Sequence, residues 1–179
     1  RIMKDGRPLE IIVETAGEEV EHSDVLELVR DSWAKAGIAL FIKPQTREVL
    51  RKRVRSGATV VSVFYGIDNG IASAATEPHE FAPIKDDQLQ WPVWSLYFAS
   101  GGKSGEAPDL PEVKALMSNY RAWARAESDE QRRDAWRAML QINADQVFSI
   151  GTVNAVPQPV VVANRLRNLP AKAIFSWEP

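Results

Sequence analysis

Between Leu9 and Tyr65 the chain switches four times between two hydrophobic periods, and that switching limits the folds it can adopt. Leu9–Thr15 is a short apolar run with Leu9, Ile11, Ile12 and Val13, which predicts a buried strand. After a polar loop at 16–22, Ser23 is placed to cap a helix. Val25, Leu28, Val29 and Trp33 then recur at helical spacing on one stripe. Gly37 supplies a left-handed stop, Ile38–Lys43 reads as a second strand, and Pro44 is expected to end it. Thr46 caps a second helix that runs to Ser56, with Gly57 beyond it. Thr59–Tyr65, rich in β-branched residues, reads as a third strand buried on both faces. Strand–helix–strand–helix–strand with short joints predicts parallel pairing and right-handed crossovers. Ligands of such sheets sit at the carboxyl ends of the strands, and the loop Tyr65–Gly70 leaves the third strand at that edge.

The second half is predicted to be more helical. The stretch 71–105 carries Pro78, Pro83 and Pro92 and the pair Gly101-Gly102, and reads as irregular apart from a short helix starting near Pro92. Pro111 opens a helix over Pro111–Ala126, with Val113, Leu116, Met117, Tyr120 and Trp123 on one side. Ser128 with Gln131 forms a capping box for the next helix, which is expected to bury Trp136, Met139, Leu140 and Val147. So short a joint predicts a packed helical pair. Val147–Val153 and Pro159–Ala163 read as short extended segments. The 179 residues suit one α/β domain over 1–179, a mixed sheet flanked by helices with a helical pair at its C-terminal end.

Composition narrows the chemistry. The chain has no cysteine, which removes thiol nucleophiles, thiolate metal sites and disulfides together. A net charge of −2 with mixed signs gives no electrostatic reason to bind nucleic acid or anionic lipid. The basic run Arg47–Arg55 includes Glu48 and falls on a helical pattern, so it reads as a solvated face. His22 lies among Glu18, Glu19 and Glu21 without the spacing that presents several metal ligands at once. His79 and the pair Asp86-Asp87 are loop residues with no nucleophile motif beside them. There is no phosphate-binding glycine loop and no nucleophile elbow. We therefore expect no cofactor, no metal and no catalysis. The weighed alternatives are a small α/β enzyme using Asp68 or Asp86, and an interaction module using the aromatic run Trp91–Phe98. That run, with Trp94 and Tyr97, either walls a ligand site or packs in a core.

The loop Tyr65-Gly66-Ile67-Asp68-Asn69-Gly70 offers an aromatic ring, a carboxylate and an amide at the ligand edge. Asp68-Asn69-Gly70 also has the composition of an ordinary turn. Asp68 is suited to hold an ammonium by a charge-assisted hydrogen bond.

These residues, in order, resemble the family 5 extracellular solute-binding proteins, the peptide- and oligopeptide-binding components of ABC importers. Ser32–Ile38 running into Ile38–Lys43 resembles that family's helix, Gly-Ile, strand step. Tyr65–Gly70 resembles its aromatic–Gly–Asp loop. Ser128–Gln146, with Glu130-Gln131-Arg132-Arg133, resembles its late helix, and Asn164–Pro170 its closing segment. Gln90-Trp91-Pro92 and Phe148–Pro159 resemble one subgroup.

The resemblance implies a periplasmic-binding-protein-like lobe, the C-terminal of two, truncated at both ends with an export signal lying outside it. It implies a monomer in the periplasm or anchored at the cell surface. That protein would take a peptide, opine, oligosaccharide or nickel species in an interdomain cleft and pass it to permease subunits. The implied ligand contacts are Asp68, Asn69, Tyr65 and Trp94. Ile67 stands where the family usually has Gly, and Ile71-Ala72 replaces the usual Asp-Pro.

Overall fold

The structure, a computed structural model, describes residues 1–18, 20–66, 73–74, 78–85, 89–152 and 159–173. Its first third is a three-stranded sheet in the order β2-β1-β3: β1 Glu10–Ala16, β2 Ala39–Gln45 and β3 Val61–Ser62. Both pairings are parallel, Glu10 opposite Ala39 through Ala16 opposite Gln45, and Val13 opposite Val61. Helix α1 (Val20–Lys35) joins β1 to β2, and α2 (Arg47–Arg55) joins β2 to β3.

Side-chain alternation divides the sheet into two faces. Val13 and Leu40 meet Leu26 of α1, with Ile11, Val29, Trp33 and Ile42 around them. Ala16 meets Leu50 and Val54 of α2 on the other side. The two helices therefore cover opposite faces. A chain that steps from β1 to one neighbour and then back past it to β3 must cross on opposite sides if both crossovers keep the right hand.

Local chemistry explains most boundaries, and the structure corrects three of the expected ones. Thr46 caps α2, its hydroxyl accepting from the Val49 amide. The first helix begins at Val20, ahead of Ser23, so Ser23 is not its cap and His22 lies on the helix. Pro44 does not end β2, which runs on to Gln45. Because β2 is the edge of the described sheet, a missing N–H can be tolerated on its outer side. The third strand is two residues long, extended only by the Val63 amide donating to the Glu14 carbonyl at 3.2 Å. Its residues are half-buried rather than covered on both faces.

Helices α3 (Pro92–Ala99), α4 (Pro111–Ala124) and α5 (Asp129–Gln146) form the second half. Joined by four residues, α4 and α5 pack as a hairpin. Leu116, Trp136 and Met139 bury Ala82 and Ile84 of the irregular middle. That irregular chain is tied down by side-chain donors. Trp123 Nε1 donates to the Ala74 carbonyl (2.8 Å) and Asn143 Nδ2 to the Phe81 carbonyl (3.0 Å). Such bonds satisfy backbone oxygens that no ladder satisfies.

Ser128 caps α5 through the Gln131 amide (3.2 Å), while Gln131 Oε1 accepts from the Glu127 amide rather than from Ser128 itself (2.9 Å). Val147, expected in the core, is exposed; it ends α5 in a left-handed conformation (φ 51°), which turns its side chain away from the buried stripe. The expected extended segments after it form no strand among the described residues, and Val160, Val161 and Val162 are exposed there.

Candidate functional site: the carboxyl edge of the sheet

Three chain segments leave the sheet at its carboxyl edge: Gly17-Glu18 after β1, Thr46 after Gln45 at the end of β2, and Phe64-Tyr65 after β3. Adjacent strands β1 and β2 send their chains to opposite faces, so a crevice opens between the starts of α1 and α2. An open depression of about 420 Å³ lies there, lined by Gly17, Glu18, Pro44, Gln45 and Thr46. The Gly17 amide donates to the Gln45 carbonyl (2.7 Å) and closes its floor. A side chain at Gly17 would press on Pro44 Cβ at 3.3 Å. Both Glu18 carboxylate oxygens accept from the Arg47 amide (3.1 Å each), at the positive end of α2. Hydrogen bonds from its own amide and from that of Arg47 hold the Glu18 carboxyl below its ordinary range.

Tyr65 stands at this edge, 60 % exposed. Its ring lies 5.0 Å from the His22 ring in the first turn of α1 and 5.6 Å from Phe64. The structure thus joins Tyr65 to His22, a residue the sequence placed in a loop. Asp68 and Asn69 lie outside the described residues. Trp94 is half-buried on α3 and is not brought to the Tyr65 ring by any described ring contact. Its neighbours Trp91 and Phe98 pack against the hairpin core, with Trp91 edge-on to Phe148 at 5.2 Å and Phe98 edge-on to Tyr120 at 5.5 Å. Trp91 and Phe98 of the aromatic run therefore pack, half-buried, against the hairpin core.

Behind the edge sits a residue the sequence reading passed over. Glu14, 4 % exposed, projects from the middle strand toward α2. Arg53 grips it with two bonds, Nε donating to Oε2 (2.8 Å) and Nη2 to Oε1 (2.7 Å). Gln45 Nε2 (2.6 Å) and the Thr59 hydroxyl (2.9 Å) also donate to Oε2, and Lys43 Nζ stands 3.6 Å from Oε1. The Arg53 bonds, reinforced by Thr59 and Gln45, outweigh burial and pull the Glu14 carboxyl from 4.5 to about 2. Arg53 is correspondingly raised. One carboxylate thus links β1, β2, α2 and the approach to β3. The signal was present in the sequence: Glu14 interrupts an apolar strand, and polar Lys43 and Gln45 repeat at period two in the strand that pairs with it.

No protein-family model matches this chain, and no curated protein does. Solved structures share its fold. The oligopeptide-binding protein OppA aligns with 83 % of this chain at a TM-score of 0.65 and 20 % identity, covering 25 % of OppA. MelB, a periplasmic binding protein of Agrobacterium fabrum C58 in complex with stachyose, aligns with 83 % of this chain at 0.64 and 17 % identity, covering 21 % of MelB. NikA from Brucella suis, in complex with Fe(III)-EDTA, aligns with 82 % at 0.59 and 18 % identity, covering 26 % of NikA. The chain spans about a quarter of the length of each. Its fold is a periplasmic-binding-protein-like α/β lobe, as expected.

Proposed function

We propose that this chain is one lobe of a two-lobe, family 5 solute-binding protein that serves an ABC importer outside the cytoplasm. The carrying observation is the lobe itself. A parallel sheet with helices on opposite faces, followed by a helical hairpin, aligns over four-fifths of its length with three solute-binding structures. In this reading the carboxyl edge forms one wall of an interdomain cleft, and Tyr65, Asp68 and Asn69 face the solute. Trp94 remains in the proposed set as a flank of the cleft reached from α3. The work of the site is capture and release to the permease, without bond-making. A peptide or peptide-like solute is the first assignment, because the Asp68 loop resembles an ammonium-holding loop. MelB aligns about as well as OppA, so an oligosaccharide is the second.

The test is a thermal-shift screen of the full-length protein against peptides, opines, oligosaccharides and metal chelates. A ligand at 100 times its dissociation constant stabilises the protein by about 2.7 kcal/mol, several degrees of melting temperature. A shift by one class, lost in Asp68→Asn, supports the reading. Turnover of a substrate, abolished by the same substitution, would make the protein an enzyme and overturn it.

A further inference from the structure

We propose that the depression between β1 and β2 is a second acceptor subsite of the cleft, in which Gln45 and Glu18 receive a cationic end of the solute, and that Glu14 is the positioning residue for Gln45. This rests on the cleft reading above. The argument begins with the amide of Gln45. A buried carboxylate that already receives Arg53 can only accept, so the group 2.6 Å from it must be the Gln45 NH₂. That fixes the orientation of the amide and turns its oxygen away from Glu14, on a residue that lines the depression. Glu18 is fixed independently by the Arg47 amide, and its carboxylate is charged at neutral pH.

Three of the groups around the depression are already engaged. The Gly17 amide is bonded to the Gln45 carbonyl, the Arg47 amide to Glu18, and the Thr46 hydroxyl receives the Val49 amide at 3.4 Å. Gln45 and Glu18 bring to the depression one amide oxygen and one carboxylate, each on a side chain held by hydrogen bonds before the solute arrives, with the Thr46 hydroxyl proton beside them. Such a pair favours donors that carry positive charge, an α-ammonium or a basic side chain, over carboxylates.

The test uses the full-length protein and two pairs of probes: trialanine with its N-acetylated form, and trilysine with its fully acetylated form. Affinities are measured calorimetrically for wild type, Gln45→Leu and Glu18→Gln. Wild type is expected to prefer the charged member of at least one pair, and each substitution to reduce that preference roughly tenfold while leaving the acetylated probe's affinity unchanged. Gln45→Leu keeps the Glu18 cap on α2, so a folding defect in Glu18→Gln does not obscure the result. Glu14→Gln, which frees the amide to rotate, should reduce the same preference without touching solute. If wild type binds the charged and acetylated probes equally, or if both variants keep the wild-type preference, the subsite is refuted and the cleft reading stands. If neither these probes nor any other solute class binds, both fall.

Discussion

Replacing Glu14 with Gln removes one negative charge from the centre of the sheet and almost no volume. The amide keeps one acceptor oxygen, but its NH₂ faces the Arg53 guanidinium in either orientation, donor against donor. The stability at stake follows from titration. The fall of the Glu14 carboxyl from 4.5 to about 2, at about 1.36 kcal/mol for each tenfold change, corresponds to about 3 kcal/mol. Arg53 keeps 34 % of its side chain in water, which screens the pair and lets the cation rehydrate when its partner is lost. We therefore expect Glu14→Gln to cost about 2 kcal/mol at pH 7, or about 4–8 °C in melting temperature for a domain of this size.

The pH dependence has a definite sign. A carboxylate whose folded pKa is depressed stabilises fully above its unfolded value and loses that contribution as pH falls through the folded value. The gap between wild type and variant should hold from pH 7 to about 5, then narrow from about 4.5 down through 2. Urea unfolding followed by the fluorescence of the six tryptophans measures it. A cost under about 0.5 kcal/mol at pH 7, or a gap that stays constant down to pH 2, would refute the claim that this ion pair organises the sheet.

Three further outcomes follow from the structure. Gly105→Ala should destabilise by more than about 1 kcal/mol in the same urea titration, because the position has φ +81° and a Cβ there would collide with the Val93 carbonyl and lie 2.6 Å from the Tyr97 amide nitrogen. Ser128→Ala should cost about 1 kcal/mol by removing the cap on the Gln131 amide, and Ser128→Asp should largely restore it. Tyr65→Ala should leave the melting temperature within about 2 °C of wild type, since the ring is mostly in water, while weakening solute binding by the full-length protein. Unchanged solute affinity would remove Tyr65 from the proposed site.

The helices were legible because their information is local. The stripe Val113, Leu116, Met117 has one buried side, Thr46 and Ser128 announce helix starts, and each signal acts within four residues of itself. The edge of the sheet was legible too, since the alternation of strand and helix with short joints leaves few topologies, although Tyr65 falls three residues past the end of the third strand rather than at it. Position in the sheet was not. Pro44 reads as a strand breaker until β2 is known to be an edge, and the Val60-Val61 run reads as a central strand until only Val61 and Ser62 are seen to pair. The core role of Trp91 and Phe98 depended likewise on Phe148 and Tyr120, which lie 57 and 22 residues away in the chain.

The sequence by itself determined the alternation of elements, the caps at Thr46 and Ser128, the parallel pairing of the first strands and the position of the sheet's carboxyl edge, because period and turn chemistry are properties of neighbours in the chain. Tertiary structure alone decided that Glu14 is a buried anion and that the Gln45 amide turns its nitrogen to it. Arg53, Thr59 and Gln45 are 31 to 45 residues from Glu14, and only strand register and the crossing of α2 bring their donors within 3 Å of it. A carboxylate's charge state and an amide's orientation depend on which donors surround them, and that is settled when the sheet closes.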